Sequence, residues 1–426
     1  MVKKFDIILF GVTGLVGRYS LRLLHKLATA KGRNLTWAVA GRDEIKIRNV
    51  LEDLQKRTGD ASLAEVTMIL ADMENAESIE NMVQKARIIA NACGPLRKKG
   101  EVVIKACLKY KTHYVDVSAE PNFIEKMELK YNDEARTCGL CIVSSCGVDS
   151  IAYDMGLTYL QRKFEGTLNS VEIYFRHGTD DPSIPGPDFN RSTWKSAIDL
   201  MAHSQELNRI RKKKNDKLPS LKPKLPYKLL PFKPELEEGW AVPLMTADLS
   251  VIRRTQQYMY KERNARPIQV ETYLSLGDAW EIFFVVVLAA FFAILTKFEL
   301  GRKILLKYTD FFSLGVFGDV EPSEEKLEMG WFRMTLHGKG WKGKPLNSQE
   351  TETNKELIVQ VKGRNQGYGA TGLCMILAAI VLITEPEKLP KRGGVFTPGA
   401  AFCDTTLIEQ LNENGINFET VKEMKI

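Results

Sequence analysis

The run Gly11-Val12-Thr13-Gly14-Leu15-Val16-Gly17 decides the fold. It stands between Phe5–Phe10, a short stretch rich in Ile and Leu, and residues 15–30, where Leu15, Val16, Tyr19, Leu23, Leu24 and Leu27 recur at helical spacing. A glycine turn from a buried strand into a helix is where a dinucleotide's pyrophosphate is held. Gly11 suits the tight turn, Gly14 removes the Cβ that would keep backbone from the phosphates, and Gly17 lets the helix pack closely on the strand. The helix start adds free N–H groups and a partial positive charge. G-x-x-G-x-x-G is a variant of the dinucleotide fingerprint; alone it is weak, and its position gives it weight.

Working outward, short apolar runs follow at 35–40, 66–71, 88–92, 114–117 and 140–144, with helical stretches near 76–86, 101–110 and 121–137 between them. Short strands buried on both faces and spaced by helices mean a parallel sheet with right-handed crossovers. Residues 1–150 therefore read as a Rossmann dinucleotide-binding domain of α/β class. The chain after the second strand, Ala40-Gly41-Arg42-Asp43, selects the cofactor. Arg42 takes the place where an NAD enzyme carries an acid, and a guanidinium grips a 2′-phosphate through two parallel hydrogen bonds, so NADP(H) is expected. The other reading leaves Arg42 as a solvated side chain and Asp43 as the ribose ligand. Cofactor contacts are expected from Gly11, Thr13, Gly14, Leu15, Gly17 and Arg42, from Asp72 near the adenine, and from Asn91, Ala92, Gly94 and Pro95 along the nicotinamide half.

At 426 residues two domains are the default. A net charge of +7 is mild for this length, and no nucleic-acid motif accompanies it. Seven cysteines do not read as a disulfide framework and fit a reducing, cytosol-facing compartment. Cys138-Gly139-Leu140-Cys141 lacks the second pair that a zinc site needs, so no metal is expected. Lys3 and Lys4 before Ile7-Ile8-Leu9-Phe10 imitate a signal peptide, but Gly11, Gly14 and Gly17 cut the apolar run short.

In the second half, 170–175, 269–274, 331–336 and 357–361 alternate apolar and polar residues, which suggests strands of a mixed or antiparallel sheet in an α+β domain over 151–365. Within it, 209–233 is basic and carries Pro219, Pro223, Pro226 and Pro231, which reads as a loop, either solvated or touching anionic headgroups. Residues 282–295 are apolar all round; as a helix they reach ~21 Å, short of a hydrocarbon core of about 30 Å. A buried core helix or a segment dipping into a lipid monolayer remains open, and Lys297, Arg302, Lys303 and Lys307 would suit an anionic surface.

Several residues are candidates for catalysis. Asp116 and Glu120 lie near a strand end and could bind substrate or cap a helix, and Asp149 is as suited to an N-cap as to catalysis. Tyr159 and Lys163 have the spacing of short-chain dehydrogenases, where the ammonium lowers the phenol's pKa; the bland alternative is a ring packed on the sheet.

Together GVTGLVGRY at 11–19, AVAGRDE at 38–44, NACGPLRKKGEVVIKAC at 91–107, HYVDVSAE at 113–120, CGVDSIAYDMG at 146–156, GYGATG at 367–372 and GGVFTPGAAF at 393–402 resemble the saccharopine dehydrogenase-like oxidoreductases, over nearly the whole chain. The resemblance implies a Rossmann domain, a second α/β domain whose sheet could join two copies into a homodimer, and C-terminal helices over 366–426 returning toward the first domain. It also implies an intracellular protein at lipid droplets or membranes, as for animal members, and reduction of lipid precursors, as for related bacterial enoyl reductases. The expectation is an NADP(H)-dependent reductase of a hydrophobic, lipid-like carbonyl or enoyl substrate, anchored through 282–295 and its basic flanks. The rivals are a lipid-surface scaffold that keeps the nucleotide fold without turnover, and a saccharopine-type reductase of a soluble amino acid adduct.

Overall fold

The computed structural model describes residues 3–214, 216–244, 247–343 and 352–425. The chain divides into two compact units, one of Met1–Ile151 with Gly367–Asn414, the other of Ala152–Gln366 with Gly415–Ile426.

The first unit is built on β1 (Phe5–Phe10), β2 (Trp37–Gly41), β3 (Met68–Leu70), β4 (Ala86–Asn91), β5 (His113–Asp116) and β6 (Cys141–Val143). All pair in parallel, in the order β6-β5-β4-β1-β2-β3, and the strand Gly394–Phe396 adds itself beyond β6. Ile7, Ile8 and Leu9 have no exposed surface, as a strand covered on both faces requires. Register aligns Phe10 with Ala40 on one side and Asn91 on the other, and Asn91 with Asp116, so four strand ends finish along one edge. Local chemistry sets the intervening helices. Asp43 accepts from the Lys46 N–H to start Glu44–Thr58, which Gly59 ends at φ +72°; Asn75 starts Ala76–Val83 the same way.

The helix Thr371–Thr384 is apolar on every face and buried from Gly372 to Leu382. By length and composition alone Gln366–Thr384 could cross a membrane, yet it is mostly buried inside the protein. It packs on α1 (Leu15–Ala28) and on β4 and β5. Residues 366–426 are not all helix, in contrast to the C-terminal helices expected from the sequence. Gly394–Phe396 is a sheet strand, and Asn417–Lys425 pairs with Lys355–Arg364 in the second unit. Phe418, which is buried, and the alternation around it favour a strand along an open sheet edge.

Two helices of the first unit are tied by Glu101, which accepts hydrogen bonds from the Tyr131 hydroxyl at 2.7 Å and Lys130 at 2.9 Å and pairs with Lys126 at 3.1 Å. Partial burial pushes its carboxyl up, but Tyr131, Lys130 and Lys126 together outweigh this and hold it near about 2, against an ordinary value of 4.5. A depressed folded-state pKa stabilises above the unfolded value and loses that stabilisation as pH falls toward the folded value. The thermal midpoint should therefore fall more steeply between pH 4.5 and about 2 in the wild type than in Glu101→Gln. Parallel slopes in a pH series of melting curves would show that this tie contributes nothing.

The second unit holds a six-stranded mixed sheet in the order Asn417–Lys425, Lys355–Arg364, Gly330–Trp341, Thr167–Thr179, Gln269–Leu276, Trp240–Pro243. Gln269–Leu276 runs parallel to Thr167–Thr179, and the other pairs are antiparallel. The basic cluster Arg211–Lys214 is not the loop that the sequence suggests over 209–233. It forms the last turns of the helix Ser204–Lys214, anchored by buried Leu207 and Ile210, with its cations at the end where the helix dipole favours them. The prolines begin only at Pro219.

Candidate functional site

The site is built at the carboxyl ends of β1, β2 and β4. Gly11 turns at φ +91°, and a Cβ there would lie 2.7 Å from the Cys93 backbone nitrogen, so the turn after β1 runs directly against the loop after β4. Gly17 presses α1 onto the turn; its Cβ would stand 2.1 Å from the Gly11 carbonyl oxygen. Gly14 is different. It has φ −74°, which any residue adopts, and its Cβ would meet only the Gly11 oxygen, at 3.5 Å. Gly94 is likewise open, its Cβ meeting only the Leu96 nitrogen at 3.9 Å. Packing within the protein explains Gly11 and Gly17 but not Gly14 or Gly94. Gly14 is the N-cap of α1, which has no side-chain cap and no acid in its first turn, and Gly94 follows Cys93, against which Gly11 packs. A cradle that a side chain would fill, lined by backbone and a helix dipole, fits a pyrophosphate. Thr13 and Leu15 flank it half-buried.

Asp43 and Arg42 separate cleanly. The Asp43 carboxylate is committed to the Lys46 N–H at 3.0 Å as a helix cap, whereas Arg42 is exposed. Burial pushes the Cys93 thiol up, Arg42 pulls it down, Asp72 pushes it up and Lys99 pulls it down, so these four groups share one neighbourhood. One oxygen of Asp72 accepts from the Glu74 N–H at 3.0 Å, and Lys99 pairs with Glu74, tying the loop after β3 to the one after β4. Asn91 is fully buried. Its amide donates to the Tyr114 hydroxyl and its oxygen accepts from the Cys93 N–H, both at 2.9 Å, so it positions the Ala92–Pro95 backbone instead of presenting its own side chain. No sequence feature marks Tyr114 for this role; it stands on β5 opposite Ile89, two residues before Asn91 on β4.

The catalytic candidates do not converge. Asp116 has no exposed surface, and its carboxylate accepts from Ser118 N–H and Oγ, from Ser145 N–H and from Ser144 Oγ. Burial pushes its pKa up and the Ser118 and Ser145 bonds pull it only partly back. It is a knot between two strand ends. Glu120 accepts from the Arg97 N–H at 2.9 Å, capping the short helix Leu96–Lys99 and not the one that follows it. Asp149 stands exposed in the first turn of Val148–Lys163, two places beyond the cap position. Lys163 sits over the face of the Tyr159 ring, 5.7 Å from its centroid, and the ring packs against Phe418 at 6.0 Å. An ammonium on the ring face is a packing arrangement. The seven cysteines are free, and burial pushes Cys141 up to about 12.

Residues 7–143 match the saccharopine dehydrogenase NADP binding domain. A human saccharopine dehydrogenase-like oxidoreductase is 35% identical over 100% of this chain and 99% of its own. The chain belongs to the saccharopine dehydrogenase-like oxidoreductase family. A Caenorhabditis elegans lipid droplet localized protein is 34% identical, with 99% of each chain covered. Among solved structures, apo saccharopine dehydrogenase (L-Glu forming) from Saccharomyces cerevisiae covers 98% of this chain and 100% of its own at a TM-score of 0.55 and 13% identity, a likeness of fold. The family's cofactor is NADP(H), which agrees with a cradle that leaves Arg42 exposed and Asp43 spent on a helix.

Proposed function

We propose that the protein is an NADP(H)-dependent reductase of a hydrophobic carbonyl or enoyl substrate, working at a lipid-droplet or membrane surface inside the cell with its cofactor domain in the cytosol. The observation that carries the lipid part is the helix Ala279–Leu295. Asp278 caps it and Arg302 closes its other end on the Thr296 carbonyl, but of its seventeen residues only Ile282 is buried. Trp280 is 73% exposed, and Phe283, Phe284, Phe291 and Ile294 lie about half open. This disfavours the core-helix reading of 282–295. At about 25 Å the helix is short for a span. Phe298, Leu300, Phe311 and Leu314 continue the apolar surface, with Lys297, Lys303 and Lys307 exposed among them. Aromatic and aliphatic side chains mixed with lysines suit the boundary between acyl chains and headgroups. The worm relative's lipid-droplet name supports the same place.

NADPH supplies the hydride when bound. The chain's own share is to hold the pyrophosphate at Gly11–Gly17, to grip the 2′-phosphate with Arg42, and to fix the 92–95 backbone through Asn91 and Tyr114. Arg42→Ala should weaken NADPH binding by roughly 10- to 100-fold and leave NADH little changed, because a charge-assisted bidentate contact is lost. Fluorescence titration with both nucleotides checks this, and an equal loss for the two would remove Arg42 from the 2′-phosphate. Turnover is tested by following NADPH absorbance with lipid enones and ketones presented in vesicles. Tight NADPH binding with no acceptor reduced would favour the scaffold reading.

A further inference from the structure

A cavity of about 350 Å³ opens within the second unit. It lies between the strand Gln269–Leu276, the helix Ala247–Arg263 and the proline-rich chain from Leu218 to Leu225, and none of its lining belongs to the nucleotide-binding unit. Its walls mix the apolar Leu218, Leu221, Leu225, Ile252 and Val270 with the polar side chains of Arg253, Gln256, Gln257, Gln269 and Glu271. The volume falls at the small end of the range for small-molecule sites, about 300–1,000 Å³.

Three glutamines line it, and two are spent on building it. Gln257 donates to the Asp216 carbonyl at 2.8 Å. Gln269 donates to the Pro223 carbonyl at 2.7 Å and accepts from the Leu225 N–H at 3.0 Å, pinning the proline-rich wall to the sheet. Gln256 is left over. It is 2% exposed, and its oxygen accepts from the Ile268 N–H at 3.1 Å, which fixes the amide's orientation. Its Nε2 is buried and has no hydrogen-bond partner among the described residues. Buried donors are rarely left unmade, since the desolvation loss is not recovered.

Arg253 and Glu271 also line the cavity, and neither makes an ion pair with a described residue. Burial pushes the Glu271 carboxyl up, Arg253 pulls it down, and Glu172 pushes it up again. The proline-rich wall adds the exposed cations Lys217, Lys222 and Lys224. Apolar side chains beside an orphan N–H, a guanidinium that offsets Glu271 and lysines on the proline-rich wall select an amphiphile whose polar end is an oxygen acceptor. We propose that this cavity binds a medium-chain fatty acid, its carboxyl group accepting from Gln256 Nε2 and Arg253 and its chain lying against Leu218, Leu221 and Val270.

The test is calorimetric titration of the full chain with decanoate below its micellar concentration, beside decanol and decylamine. Wild type should bind one decanoate per chain and prefer it to both analogues. Gln256→Leu should weaken binding about tenfold or more and Arg253→Ala by a smaller factor. Because Gln256 also holds the Ile268 N–H, Leu221→Trp serves as a second variant: it fills the cavity from its outer wall and should abolish binding. NADPH titration of the same variants should match wild type, which separates this site from the cofactor reading. Decanoate bound equally by wild type and all three variants, a preference for decylamine, or no binding at all would each overturn the proposal.

Discussion

Gly14→Val is expected to abolish NADPH binding while leaving the fold in place. The valine Cβ would meet nothing closer than the Gly11 oxygen at 3.5 Å, and φ −74° is ordinary for it. The stability cost should be that of a poorer N-cap, about 1 kcal/mol. The side chain would nevertheless stand where the phosphates approach the start of α1, and affinity should fall at least ~100-fold, about 2.8 kcal/mol. Gly17→Ala should behave in the opposite order. Its Cβ would lie 2.1 Å from the Gly11 carbonyl oxygen, a backbone atom that cannot swing aside. Overpacking of this kind costs about 1–3 kcal/mol or more, so the melting temperature should drop first and binding with it. Calorimetric melting beside nucleotide titration distinguishes the two. Gly14→Val that binds NADPH like wild type would mean that no phosphate sits there.

The second large effect is expected at the apolar helix. Phe283→Asp, Phe291→Asp and Ile294→Asp combined should release the protein from lipid without unfolding it, since the three side chains are 55%, 52% and 56% exposed. Inserting each aromatic or aliphatic side chain into an acyl phase contributes about 1.5–3 kcal/mol, so losing three lowers partitioning by roughly three to six orders of magnitude. Flotation with phospholipid-coated oil droplets measures this directly. A triple variant that floats like wild type, with an unchanged melting temperature, would place the lipid contact elsewhere. The loss should be larger than the salt sensitivity of binding, because the lysines around the helix contribute only about 1 kcal/mol each near an anionic surface.

What could be read from the chain followed physical lines. Strands covered on both faces must be apolar throughout, so β1, β2 and β4 stood out, and the glycine turn between β1 and α1 followed from them. The second sheet showed itself by alternation, although Thr167–Thr179 and Gly330–Trp341 run well past the alternating cores seen at 170–175 and 331–336. The helix Ser204–Lys214 was hidden because four consecutive basic residues look like solvated loop, and only Leu207 and Ile210 reveal its buried side. Residues 282–295 could not be assigned from sequence, since a helix apolar on every face gives no sign of which neighbours cover it. The same limit applies to Asp116. Whether an acid at a strand end meets solvent or four donors depends on Ser144 and Ser145, nearly thirty residues away. Asp43, the alternative ribose ligand in the sequence, is instead taken by one hydrogen bond that it accepts from the Lys46 N–H.

The order in which the pieces of the first unit leave the ribosome follows from its connectivity. Its buried helix Thr371–Thr384 and its outermost strand Gly394–Phe396 are encoded after the whole of Ala152–Gln366. At about 5–20 residues per second, roughly 11–50 s of translation separate β6 from those parts. Through that interval the nascent nucleotide-binding unit carries the uncovered faces of α1, β4 and β5 and an unpaired edge at β6. Many multidomain chains complete their first domain early; this one must wait for residues 371–396, and until then the apolar faces that Thr371–Thr384 covers have no partner within the unit.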